Sequence, residues 1–176
     1  MDYLAKEIPL LIQWLRDRKE EAGVRGLLVG VSGGIDSAVV ASLIKQAAGD
    51  DALGLILPCC SSSEDLEDAR LVCRTVGLPN LEFDLGPAHE KIFPEIILNL
   101  PGNPTIAEGS LRIADANLRA RLRMAALYTA ANALGCLVVG TDNAAEVYTG
   151  YFTKYGDGGV DILPLSQFTK REVRAL

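Results

Sequence analysis

Leu27-Leu28-Val29-Gly30-Val31-Ser32-Gly33-Gly34-Ile35-Asp36-Ser37 is the stretch whose reading decides the fold of this chain. Its first five residues form a short, continuous apolar run, the mark of a strand covered on both faces. A Ser/Gly loop follows, and then small and apolar residues over 35–48 that read as a helix. Gly33 and Gly34 let the backbone approach a ligand closely, and the N-terminus of the next helix points free N–H groups at it. Ser32 and Ser37 add hydroxyls. Such a cradle suits a pyrophosphate or a triphosphate. Asp36 alone would repel that ligand, so it reads as a ligand for Mg²⁺, which neutralises both. No Lys-Ser/Thr follows the glycines and the spacing is not GxGxxG, which sets the loop apart from the two commonest nucleotide fingerprints. The plain alternative is a tight strand-to-helix turn capped by Asp36 or Ser37.

Working outward, the pattern repeats. On the N-terminal side, Leu4, Ile8, Leu11, Ile12 and Leu15 recur at helical spacing over 2–22, with Pro9 near the start or at a kink and Gly23 closing the helix. On the C-terminal side, apolar runs at 53–57, 81–85 and 137–139 read as three more strands. Helices are expected at 64–76, at 87–100 with a break at Pro94, and from an N-cap at Ser110 to a stop at Gly135. Strands alternating with helices mean crossover units, a parallel sheet and right-handed connections. The expected fold is therefore α/β: a doubly wound, Rossmann-like parallel sheet of order 3-2-1-4, with a fifth strand possible and helices on both faces. Residues 140–161 are rich in Gly, Asp and Thr. They suit a ligand site at the carboxyl ends of the strands better than a core.

The 176 residues suit one domain spanning 1–176, and 49% apolar residues are enough to fill its core. Thr169 and Glu172 form a capping-box pair that opens a helix, yet the chain stops at Leu176. A truncation at the C-terminus is expected. A net charge of −6 and a pI near 4.8 argue against a nucleic-acid partner. Cys59, Cys60, Cys73 and Cys136 offer no CxxC pair and no zinc spacing, so reduced cysteines are expected. Charges interrupt the first 20 residues, and no apolar run reaches membrane-spanning length. A cytoplasmic protein without a membrane partner is expected. His89 is the only histidine, and nothing near it in the sequence resembles a nucleophile, so a hydrolase triad has little support.

Ser32-Gly33-Gly34-Ile35-Asp36-Ser37 resembles the pyrophosphate loop of the ATP pyrophosphatases, which cleave ATP to AMP and pyrophosphate. A second constellation narrows the choice: Gly140-Thr141-Asp142-Asn143-Ala144-Ala145-Glu146, then 150–159, Asp161-Ile162-Leu163-Pro164-Leu165 and Thr169-Lys170-Arg171. Together they resemble the NAD synthetase family over about residues 26–174. The resemblance implies an ammonia-dependent ligase that amidates deamido-NAD through an acyl adenylate. It places ATP on Gly30, Val31, Ser32, Gly33, Gly34, Ile35, Asp36, Ser37, Thr141 and Lys170, with Asp36 and Lys170 the catalytic pair. It places Mg²⁺ on Asp36 and Glu146, and deamido-NAD on Arg121, Lys154, Asp157 and Asp161. Arg119 and Arg123 compete with Arg121 for the substrate role. Tyr151 and Phe152 read either as stacking surfaces or as core. The resemblance further implies a homodimer, with ammonia arriving free or from a separate protein, since the chain has no room for a glutaminase domain. Another amidating or thiolating pyrophosphatase, or a nucleotide-binding module without turnover, are the alternatives.

Overall fold

In the computed structural model, which describes residues 4–101 and 105–176, the quoted stretch lies at the centre of the molecule. Strand β1 (Gly26–Gly30) pairs in parallel with β2 (Ala52–Ile56) on one side and β4 (Cys136–Val139) on the other. β3 (Asn80–Glu82) extends the sheet beyond β2, giving the order β3-β2-β1-β4. This is the expected topology. Among the described residues, a parallel bridge between Val139 and Ile162 stands in place of a fifth strand.

Leu27, Leu28 and Val29 have no exposed surface, because side chains alternate across a strand and both faces are covered. Leu27 and Val29 face a core built with α1 (Leu4–Glu21), α2 (Ile35–Ala48), α3 (Ser63–Val76) and α7 (Lys170–Val173), through residues such as Leu15, Ile44, Cys73 and Val173. Leu28 and Leu55 face the opposite core, which α5 (Glu108–Leu134) closes with Leu122, Ala126 and Leu127. Each fully buried leucine contributes about 1.5–3 kcal/mol of apolar transfer. Helix α4 (Gly86–Asn99) packs on α5.

The connections α2 and α3 carry the chain outward from β1 to β2 and β3. The α4–α5 connection then returns it to the far side of β1, so the strand order reverses between β1 and β4. A crevice opens at such a switch point, above the carboxyl ends of the strands.

Four local expectations need correction. Pro94 does not break α4, which runs through it as a single helix. Pro94 is exposed, and losing one backbone donor at a helix surface is tolerated. Ser110 is not an N-cap: α5 starts two residues earlier, after Ala107 in an extended conformation, and Ser110 lies in its first turn. Strand β3 is three residues long, ends before Leu85 and leaves Leu81 57% exposed, as suits an edge. Residues 140–161 are not loop throughout, because α6 (Ala144–Thr149) forms within them. Gly135 ends α5 in the left-handed conformation, as expected. The sequence Pro101-Gly102-Asn103-Pro104 reads as a loop, and its residues 102–104 lie outside the described residues.

Candidate active site

The loop after β1 is held open by its own hydroxyls. Ser37, 3% exposed, accepts from the Ser32 amide at 3.2 Å and donates to the Gly34 carbonyl at 2.9 Å. The Ser32 hydroxyl accepts from the Gly34 amide at 3.3 Å. The serines are braces as much as donors. Gly34 caps α2 without any side-chain hydrogen bond, so no side chain covers the cap at this helix N-terminus. Gly33 has φ +84, and a Cβ there would lie 2.8 Å from the Cβ of Asp68 and 2.9 Å from the Asp65 carbonyl oxygen. Only glycine fits that turn.

Above the loop is a cavity of about 650 Å³, the scale of a nucleotide site. Gly30, Val31, Ser32 and Gly34 form its floor, with Thr141 and Asp157 on its rim. Leu55, Ile56 and Leu57 line one wall, and Ala120, Met124 and Leu127 of α5 line the other. These apolar walls suit a flat heterocycle.

Beside the floor is a second group of residues. Asp36 forms an ion pair with Lys170 and accepts from the Asn143 side-chain amide at 3.4 Å. Asn143, 1% exposed, caps α6 by accepting from the amides of Ala145 and Glu146. The Glu146 carboxylate accepts from the Asn143 amide at 3.0 Å, completing a capping box. Asn143 thus ties the two expected metal carboxylates, Asp36 and Glu146, to one point. Sequence reading missed this role, although an Asn three residues before a Glu is a legible cap signal.

The charge here is unbalanced. Asp142 is 6% exposed, and burial, followed by the nearby charges of Asp157, Glu146 and Asp36, pushes its carboxyl up to about 6. Lys170 is the one cation paired with these carboxylates among the described residues. A second cation would relieve the strain. Mg²⁺ typically takes one or two carboxylates together with phosphate and water oxygens, and the donor set fits it. No group of three or more candidate metal ligands occurs among the described residues.

Because its folded-state carboxyl is raised, Asp142 favours the fold below its unfolded value of 3.8 and loses that contribution as pH rises through about 6. In Mg²⁺-free buffer at pH 8, Asp142→Asn is therefore expected to stabilise the protein by about 2 kcal/mol, and the gain should shrink by about half at pH 5. Thermal melts of both proteins across that range check this, and a pH-independent difference would contradict it.

The expected substrate residues are more scattered. Arg121 donates to the Lys154 carbonyl at 3.2 Å, bracing the segment that carries Asp157. Lys154 is exposed, with its ammonium 5.0 Å from the centre of the Tyr155 ring. Asp157 accepts from the Thr153 amide. Asp161 accepts from the Tyr128 hydroxyl and the Val138 amide, both at 2.8 Å, fastening this segment to β4. Of the competing arginines, Arg119 pairs with Asp115, while Arg123 lines the cavity and donates to the Leu57 carbonyl. Tyr151 and Phe152 are 80% and 41% exposed, so neither is core. His89 is not isolated in space: Cys60 and Asp115 flank its ring.

The model of the NAD synthase family matches residues 7–176. The NH3-dependent NAD+ synthetase of Alkaliphilus oremlandii is 52% identical over 170 residues, covering 97% of this chain and 68% of that protein. The corresponding enzyme of Carboxydothermus hydrogenoformans is 45% identical over 163 residues, covering 93% of this chain and 65% of that protein. The chain thus spans about two thirds of the length of these relatives. Among solved structures, an NMN synthetase from Francisella tularensis superposes with a TM-score of 0.87 at 34% identity, covering 97% of this chain and 67% of that one. The NH3-dependent NAD synthetase of Campylobacter jejuni superposes with a TM-score of 0.83 at 29% identity, covering 98% and 71%. A family model that matches nearly the whole chain, and relatives this similar, show that the chain belongs to the NAD synthase family.

Proposed function

We propose that this chain is an ammonia-dependent NAD synthetase, a ligase that forms a C–N bond in the cytoplasm. The observation that carries the reading is the uncapped α2 N-terminus beneath a nucleotide-sized cavity, with Lys170 held at its edge by Asp36. The nicotinate carboxylate of deamido-NAD attacks the α-phosphorus of ATP, and pyrophosphate departs. Ammonia, free or delivered by a separate protein, attacks the acyl carbon, and AMP leaves with one of the former carboxylate oxygens.

The residues divide the work. Amides of the loop from Gly30 to Ser37 cradle the phosphates, where a fixed set of donors stabilises the charge gathering on pyrophosphate. Lys170 exchanges Asp36 for a phosphate oxygen. Thr141 contacts ATP at the end of β4. Asp36 and Glu146 would hold Mg²⁺, which when bound neutralises phosphate charge. Arg121, Lys154, Asp157 and Asp161 hold deamido-NAD, directly or by fixing the segment that meets it. The apolar walls keep water from the adenylate. A homodimer is expected from the family resemblance, and light scattering should detect it at micromolar concentration.

Deamido-NAD carrying ¹⁸O in its nicotinate carboxylate tests the chemistry. One labelled oxygen is expected in the AMP. Label in inorganic phosphate, with ADP formed, would show a different activation. Because one structural relative is an NMN synthetase, the mononucleotide counterpart of the substrate forms the second arm. Deamido-NAD is expected to react faster.

A further inference from the structure

The ring of His89 lies between a thiol and a carboxylate. Its Nδ1 lies 3.8 Å from the Cys60 sulfur, within hydrogen-bonding range for a thiol, and its Nε2 lies 2.8 Å from Asp115 Oδ1. His89 is 6% exposed and stacked on Phe93, with ring centres 5.5 Å apart. Asp115 is itself anchored by Arg119 through its other oxygen. Three separate segments therefore build a chain of thiol, imidazole and carboxylate, the arrangement that activates a cysteine nucleophile. Nε2 is close to Asp115 Oδ1 but makes no aligned hydrogen bond with it, so the carboxylate acts through its charge, which favours the proton on Nε2 and leaves the Nδ1 lone pair facing the sulfur.

The thiol is presented outward. Cys60 is exposed and sits in the left-handed region at φ +56, a conformation uncommon for a residue with a Cβ. Cys59 and Cys73 are buried and Cys136 is half-buried, and burial pushes all three thiols up. Arg123 and Arg119 act electrostatically on the adjoining Cys59, with Cys60 and Asp84 opposing, which places two guanidinium charges near this loop. None of Cys60, His89 and Asp115 lines the nucleotide cavity, although Pro58 and Ser61, on either side of Cys60, do.

We propose that Cys60, with His89 as its base and Asp115 as the positioning residue, is a thiol-modification site that takes small anionic disulfides. The Cys60 proton passes to His89 Nδ1 and the sulfur attacks one sulfur of the disulfide. The old S–S bond breaks as the new one forms, and the departing thiolate takes the proton from His89 and leaves as a thiol. Cys60 sulfur is oxidised and the leaving sulfur reduced, so no other oxidant is needed.

The probe is oxidised glutathione, with adducts located and timed by peptide mass spectrometry. In the native protein Cys60 should be labelled about tenfold faster than the same cysteine in urea-unfolded chain, and ahead of the other three. His89→Gln should slow Cys60 labelling by about tenfold while the buried thiols stay protected, and Asp115→Asn should slow it less. A structural role would act in the opposite sense, because loosening the fold exposes Cys59 and Cys73 and speeds every thiol. Should His89→Gln unfold, the native-to-unfolded ratio of the unmodified protein decides alone. Labelling of Cys60 no faster in the native state than in urea, or first labelling at Cys136, would overturn the proposal.

Discussion

Asp36→Asn is expected to abolish turnover, lowering kcat/KM about a thousandfold or more while leaving the fold intact. The side chain keeps its shape but loses its charge, and that charge has two uses in this structure. It holds Lys170 at the edge of the phosphate loop, and it is one of the two carboxylates that Asn143 brings together. Without it, Lys170 is no longer placed and the proposed Mg²⁺ site keeps only Glu146. The core is untouched, because Asp36 lies in the first turn of α2, at the end of the row formed by Val40, Leu43 and Ile44, where its partners are Lys170 and Asn143. Initial rates of AMP release, together with thermal melts and Mg²⁺ titrations, check the prediction. Near-normal turnover would remove Asp36 from the chemistry. Its loss should also relieve Asp142, since Asp36 is among the charges that raise that carboxyl.

Gly33→Ala is the second large effect, and here the cost falls on the fold and the site together. The new methyl would meet Asp68 Cβ, the Asp65 carbonyl and the Ala69 amide within about 3.0 Å, in a turn that already has φ +84. Two of those three atoms are α3 backbone and cannot swing aside. Either α3 shifts away from the loop or the loop abandons its left-handed turn. A destabilisation of about 2–4 kcal/mol is expected, with ATP affinity falling by at least about tenfold as the cradle distorts. Denaturant melts and ATP titration measure the two quantities. A variant with unchanged stability and affinity would show that the loop has slack the packing does not suggest.

The elements best read from sequence are those whose local signals agree. Leu27 to Ser37 combines a doubly buried strand, a glycine turn and a helix start, and each appears where the pattern placed it. Alternation of strands and helices was enough to give a parallel sheet, and the doubly wound order expected for it, 3-2-1-4, is the order observed. Edges and caps were harder to read. Ser110 carries a cap signal, but the preceding extended Ala107 allows the helix to begin sooner. Pro94 signals a break, yet its missing donor falls on an exposed helix surface where little is lost. Residues 140–161 look like loop from composition, while Asn143 and Glu146 nucleate one short helix within them.

The same division runs through the site. Asp36, Lys170 and Glu146 were legible through their motifs, but the residue joining two of them, Asn143, emerges only when 107 residues of chain are folded back to bring it to Asp36. The burial that raises Asp142 and the grouping of Cys60, His89 and Asp115 are likewise products of tertiary packing, with no local spacing to announce them.

The central claim is that the loop after β1 binds ATP for cleavage between the α- and β-phosphates, coupled to amidation of deamido-NAD. Chromatographic measurement of nucleotides after incubation with Mg-ATP, deamido-NAD and ammonium tests it most directly. Equal amounts of AMP and NAD, neither formed without ammonium, are the predicted result. ADP in place of AMP, or ATP consumed with the dinucleotide unchanged, would contradict it.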